Sequence, residues 1–211
     1  MCCRYYMEES PELRPYIEAA NRAPLTSSMV AKLGRPLITS GEVRPTNIAT
    51  VLAPGKDGKS AVFPMVWGFT NPRSSSPIVN ARVESAAEKP MWKEPWSRHR
   101  CIIPMSWYFE WEHLVNQVTG QQKTGDKYMI QPKGASLSYL AGLYRIEEMA
   151  GIKVPVFTVL TREPSEPIRF IHDRMPVILP KDLVEPWMEI DGKPDEIVKE
   201  ALTDMVFEKA G

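Results

Sequence analysis

The sequence predicts an α+β fold built mainly from short strands, and three observations carry that reading. The 211-residue chain holds 20 prolines, too many for a helical bundle, because proline stops helices and sits poorly in central strands. Short apolar, β-prone runs recur along most of the chain, separated by Gly, Pro, Ser and Asn clusters. Helix-like signals are confined to residues 10–21, residues 84–89 and the tail from 180 to 211. The length fits one domain spanning residues 2–211, large enough to bury a core.

Composition narrows the class further. With 43% hydrophobic and 25% charged residues the chain is an ordinary globular sequence. Its 26 basic and 26 acidic residues cancel, so no overall field recruits nucleic acid or anionic lipid, and any such site must be a local patch. Three cysteines, two of them adjacent, form no disulfide framework and fit a reducing compartment. No apolar run approaches a membrane span, and Glu8, Glu9 and Glu12 exclude a signal peptide. The expectation is a soluble, cytoplasmic monomer, nucleoid-associated in a bacterium, with no membrane partner.

Ser10-Pro11-Glu12 reads as a helix start, with Pro15 weakening the helix that follows. Residues 22–42 show no period and read as loop. Residues 47–53 and 60–67 flank Lys56-Asp57-Gly58-Lys59 and read as a hairpin. Residues 68–77 are loop by composition. Asn80 and Arg82, two apart in an extended segment, share one face; Asn80 can also be read as a plain helix cap, since residues 84–89 follow as a helix. Arg98-His99-Arg100 reads as a solvated basic cluster leading into a buried strand, residues 101–104.

Residues 107–112 alternate, with Trp107, Phe109 and Trp111 on one face and Tyr108, Glu110 and Glu112 on the other. A glutamate among bulky aromatics is partly desolvated, which raises its pKa toward an acid–base range; an exposed strand glutamate is the plainer alternative. Residues 113–126 read as loop. Residues 127–131, 137–144 and 153–161 are further strands, and residues 163–168 a turn or short helix. His172 stands between Ile171 and Asp173-Arg174 at the mouth of a β-prone run, a setting that leans toward chemistry. The tail reads as packing helices through Leu183, Trp187, Ile197, Val198, Leu202 and Val206.

The chain opens Met1-Cys2-Cys3-Arg4. Removal of Met1 would leave Cys2 with an α-amine of pKa about 8 beside a thiol of pKa about 8.5. Such a pair can capture an aldehyde twice, as a Schiff base and then as a five-membered thiazolidine.

Cys2, Trp67-Gly68, Asn80-Ala81-Arg82, Arg100-Cys101-Ile102-Ile103-Pro104, Glu110-Trp111 and His172-Asp173-Arg174-Met175-Pro176 together resemble the SOS-response-associated peptidase (SRAP) family. The resemblance runs from Cys2 to about Leu183. It implies a compact α+β domain with a curved, barrel-like mixed β core and peripheral helices. It also implies covalent capture of abasic sites in single-stranded DNA and self-removal of Met1. Cys2 would be the nucleophile, with Asn80, Glu110 and His172 completing the catalytic set. Arg4, Trp67, Arg82 and Arg174 would hold the flanking strand. Two departures stand out: Cys3 occupies the place of a family glycine, and Glu42-Val43-Arg44-Pro45 replaces an asparagine and an alanine-proline pair. No metal or cofactor is expected, since no cysteine and histidine pair has ligand spacing. The rival readings are a thiol protease acting on other proteins and a non-catalytic single-strand binder.

Overall fold

Period-two alternation and turn chemistry set most of the architecture, seen in a computed structural model that describes residues 2–115 and 119–211. In chain order the strands are β1 (Arg4–Met7), β2 (Gly41–Val43), β3 (Ile48–Pro54), β4 (Ser60–Trp67), β5 (Asn80–Arg82), β6 (Arg100–Met105), β7 (Trp107–Val115), β8 (Gln122–Pro132), β9 (Ser138–Met149), β10 (Ile152–Arg162), β11 (Met175–Pro176), β12 (Ile178–Leu179) and β13 (Met205–Lys209). The helices are α1 (Arg14–Arg22), α2 (Pro24–Leu33), α3 (Pro90–Arg98), α4 (Val184–Met188) and α5 (Pro194–Ile197).

Two sheets form. One is antiparallel, in the order β13-β8-β7-β1-β2. The other runs β11-β10-β4-β3-β6-β9-β12, and the additional β9–β10 pairing closes β10, β4, β3, β6 and β9 into a five-stranded barrel. Parallel pairings of β10 with β4 and β5 make it mixed. The fold is therefore the α+β, barrel-like class expected. Barrel strands bury both faces: Ile48 and Leu52 of β3 join a core with the helices, while Ala49, Val51 and Ala53 face a second core that includes Tyr5, Tyr108 and Ile130 of the antiparallel sheet. That second core, at the seam between the sheets, also holds Cys2. Among the described residues no helix is long and apolar enough to cross a membrane.

The β3–β4 hairpin forms as its turn chemistry predicts, with Gly58 at φ 76 and the Gly55 amide donating to the Lys59 carbonyl at 2.7 Å. Several expectations are overturned. Pro15 sits at the N-terminal edge of α1, where proline is tolerated, so it does not weaken the helix. Residues 22–42 contain α2, started by Pro24 and ended by Gly34 at φ 66. It buries only Thr26 and Met29, too narrow a stripe to show a period. Residues 84–89 form no α-helix. A 3₁₀ turn spans Val83–Ser85, and the proline at 90 holds Lys89 extended before starting α3 itself. The loop assigned to residues 113–126 is mostly the tip of the β7–β8 hairpin, whose residues 116–118 lie outside the described set. In the tail, residues 205–209 pair with the open edge of β8 as β13 rather than forming helix.

Arg100 is not solvated. It is 2% exposed, and its guanidinium donates to the carbonyls of Trp96 (2.5 Å), Ser97 (3.0 Å), Trp187 (2.7 Å) and Glu189. The cation thus ties the C-terminal ends of α3 and α4, where carbonyls lack helical partners and the dipole is negative. Arg100→Met keeps the bulk but strands these buried acceptors. It should cost about 3–5 kcal/mol, read as a lower urea midpoint at unchanged slope.

Candidate active site

Chain termini fray unless something ties them down. Here β1 is held between β2 and β7, with Arg4 opposite Phe109 and Tyr5 opposite Tyr108. Continuing that register back from Arg4 lays Cys3 and Cys2 along Glu110 and Trp111. Cys2 is fully buried. Its carbonyl accepts a 2.8 Å hydrogen bond from Asn80 Nδ2, across the seam from the barrel sheet. Asn80 lies in β5, paired with Val159 of β10, so it caps no helix. Among the described residues its Oδ1 is buried without a donor. Such an acceptor costs about 1–3 kcal/mol until a donor reaches it.

Glu110 is 3% exposed and faces inward with Tyr108, opposite Tyr128 of β8, as the alternation of β7 predicts. Burial pushes its pKa up, the Asp173 charge adds to the rise, and a 3.3 Å hydrogen bond from the Trp111 amide to Oε1 opposes it. Burial also pushes the Cys2 thiol well above its ordinary value, reinforced by the Glu110 charge. The thiol is thus neutral at rest. Two phenols missed in the sequence lie in the same buried cluster as Cys2. The hydroxyls of Tyr5 and Tyr108 are buried, have no partner among the described residues, and are pushed up first by burial and next by the charge of Cys2. The signal for Tyr108 was its place on the Glu110 face; Tyr5 carried none.

His172 is 5% exposed, in the loop between Ile168 and β11. Its Nδ1 lies 3.0 Å from the Arg174 amide and 2.7 Å from the Asp173 carboxylate. One nitrogen cannot accept from the amide and donate to the carboxylate at once. The backbone fixes the amide, whereas the Asp173 side chain is 74% exposed and can turn to water. The neutral ring therefore carries its proton on Nε2. Burial lowers the His172 pKa to about 4. Because the unfolded value is about 6.5, the unfolded chain takes up the proton first as pH falls. This residue's contribution should drain from about pH 6.5 to about pH 4 and then level off, by at most about 3 kcal/mol. Urea unfolding of wild type against His172→Gln across that range isolates it, and parallel curves would refute the assignment.

The four residues expected at the strand-binding surface divide. Arg82 is exposed and opens onto a polar depression of about 370 Å³ shared with Glu84, Lys89 and Arg174. Arg174 is engaged bidentately by Glu84, both contacts at 2.8 Å, and also donates to the Thr161 carbonyl. Arg4 lies over the Trp111 ring at 4.9 Å and pairs with Glu42 at 3.0 Å. Burial alone would raise Glu42, but the Arg44 hydrogen bond and the charges of Arg4, Arg44 and Lys127 outweigh it and hold its pKa below normal.

Trp67 corrects the expectation. It is fully buried, stacked 5.9 Å from Phe157, with its Nε1 donating to the Val79 carbonyl, so it has no free face for a base. The glycine beside it is structural. Gly68 sits at φ 117, where a Cβ would meet Pro77 at 2.6 Å. Trp111, half-buried beneath Arg4 and 5.5 Å from Lys127 Nζ, is the aromatic that faces outward instead. As for metal ligands, no group of three or more ligating side chains among the described residues includes a cysteine. The described residues instead bring one ligand atom each from His113, His172 and Asp173 within 4.8 Å of one another.

The family model described as SOS response associated peptidase (SRAP) matches residues 1–209. The chain is 33% identical over 148 residues to the abasic site processing protein YobE of Bacillus subtilis (strain 168), covering 67% of this chain and 64% of that protein. It is 29% identical over 136 residues to the abasic site processing protein YedK of Escherichia coli (strain K12), covering 62% and 57%. The chain thus spans a little under two thirds of the first of these relatives and less of the second. A crystal structure of a protein from Bacteroides thetaiotaomicron superposes with a TM-score of 0.73 at 19% identity, over 100% of this chain and 92% of that one, a likeness of fold.

Proposed function

The chain belongs to the SOS response associated peptidase (SRAP) family, and from that premise we propose that it processes abasic sites in single-stranded DNA by covalent capture at Cys2. The observation that carries this reading is the treatment of the chain's second residue. It is buried at the seam, anchored through its carbonyl by Asn80, and set against the raised carboxyl of Glu110. A conventional thiol protease needs no amine beside its nucleophile, and a fully buried thiol with a raised pKa suits attack on a bulky polypeptide poorly.

Loss of Met1 frees the Cys2 amine. The amine adds to the ring-opened aldehyde of the abasic sugar, and water leaves to give an iminium. The thiol then adds to the same carbon, its proton is released, and the nitrogen becomes a secondary amine in a thiazolidine. Glu110 exchanges protons with the amine and the departing water. The neutral His172, protonated on Nε2, can donate to the sugar oxygen as the ring opens. Asn80 fixes the residue that carries both nucleophiles. Closing the iminium removes the electron sink for β-elimination, so the strand is protected. Arg82, Arg4 and the outward face of Trp111 offer the cations and stacking surface that a single strand needs. The relatives' names, abasic site processing proteins, support the substrate.

The test is incubation with a single-stranded oligonucleotide bearing one abasic site. A one-to-one adduct that survives denaturation, with a mass showing loss of one water and of Met1, is expected. An intact oligonucleotide should give none.

A further inference from the structure

We propose that Phe170 and Phe207 form a stacking subsite for one nucleobase beside the lesion, at the edge of the antiparallel sheet. The subsite rests on the single-strand part of the functional reading and adds a contact which that reading does not use. Phe170 is 49% exposed and Phe207 39%. Their rings lie 5.2 Å apart between centroids, and each meets the Tyr128 ring edge-on, at 5.6 and 5.7 Å. Tyr128 is buried and supports the pair from below. Rings held in place this way can receive a flat partner with little further loss of side-chain freedom.

Strand register relates this pair to the proposed chemistry. Residues paired across neighbouring strands turn their side chains to one face of the sheet. Glu110 of β7 pairs with Tyr128 of β8, which pairs in turn with Lys209 of β13. The adjacent row holds Tyr108, Ile130 and Phe207. Phe207 therefore faces the same side as Glu110, and two strand spacings of about 5 Å each separate their strands. Phe170 stands two residues before His172, in the same loop. The rings are thus carried by the elements that flank the candidate site, within reach of a nucleotide neighbouring the captured sugar. Cations accompany them: Lys209 pairs with Asp126 at 2.5 Å, and Arg169, next to Phe170, pairs with Glu166 at 3.0 Å. Exposed pairs of this kind are worth little, so either cation can turn to a phosphate. An aromatic face flanked by cations suits a single strand, which presents phosphates and open base faces. Because β13 is an edge strand among the described residues, a second copy of the chain is the rival occupant.

The test uses single-stranded oligonucleotides carrying one tetrahydrofuran site, which has no aldehyde, so affinity is read without capture. A second baseless position is then walked along both flanks. In wild type, loss of the base at one flanking position should weaken binding about fivefold to a hundredfold. The double variant Phe170→Leu, Phe207→Leu keeps apolar bulk and should lose a similar factor on the parent oligonucleotide. The penalty at that one position should then vanish, while the other positions respond as in wild type. Phe207→Leu alone should give part of both effects at an unchanged urea midpoint. A flat walk in wild type, or the same profile in wild type and double variant, overturns the proposal. So does a wild-type dimer, seen by sedimentation, that Phe207→Leu dissolves. The expected profile without any adduct at a true abasic site refutes covalent capture and leaves the subsite standing. An adduct accompanied by a flat walk refutes the subsite alone.

Discussion

Cys2→Ala should abolish the denaturation-resistant adduct while leaving reversible single-strand binding in place. The change removes one buried sulfur and leaves a small cavity, a loss of about 1 kcal/mol that a domain of this size tolerates. Loss of the adduct therefore reports chemistry. Cys2→Ser separates the two nucleophiles. Its amine still forms an iminium, but no thiol closes the ring, so strand breakage should appear where the wild type protects. Gel analysis of both products over time reads this directly. A durable adduct in Cys2→Ala would move the nucleophile elsewhere, with Cys3 the first candidate.

Glu110→Gln carries the second large effect. Glutamine keeps the shape and an acceptor for the Trp111 amide but cannot exchange a proton. General acid–base groups contribute about 10²–10⁴-fold, so single-turnover cross-linking at saturating protein should slow by a factor in that range, with affinity for intact strands unchanged. Release of the adduct should slow as well, because the same proton transfers run backward. In wild type, capture should fall as acid protonates Glu110, at a pH above the ordinary carboxylate range because burial raises this group. That limb should vanish in Glu110→Gln. A variant that cross-links at the wild-type rate would remove Glu110 from the chemistry.

What could be read from the sequence was local. The β3–β4 hairpin announced itself through alternation and a glycine turn, and the faces of β7 followed from period two, placing Glu110 inward with Tyr108. α2 escaped because a helix burying two residues has no stripe to detect. Arg100 was misread because the carbonyls that satisfy it sit up to 90 residues away, and a charge looks solvated until its partners are known. Trp67 drew a surface role from its neighbours in sequence, whereas its packing against Phe157 and Tyr5 depends on barrel closure. His113 was passed over as loop. Only the β7–β8 bulge and the clamp to Ile171 bring it beside His172, 59 positions on.

The two adjacent cysteines face unequal environments, and that governs how they meet oxidants. Cys2 is sealed from water, while Cys3 is half-exposed. An extended backbone turns neighbouring side chains to opposite sides, and a vicinal bridge would need their Cβ atoms about 4 Å apart. Peroxide or oxidised glutathione should therefore mark Cys3 first and spare Cys2, since both attack thiols that solvent can reach. A mixed disulfide on Cys3 would leave the buried thiol of Cys2 unconsumed. Reductant should restore Cys3, so the redox state of the surroundings is registered at a residue that takes no part in the proposed chemistry.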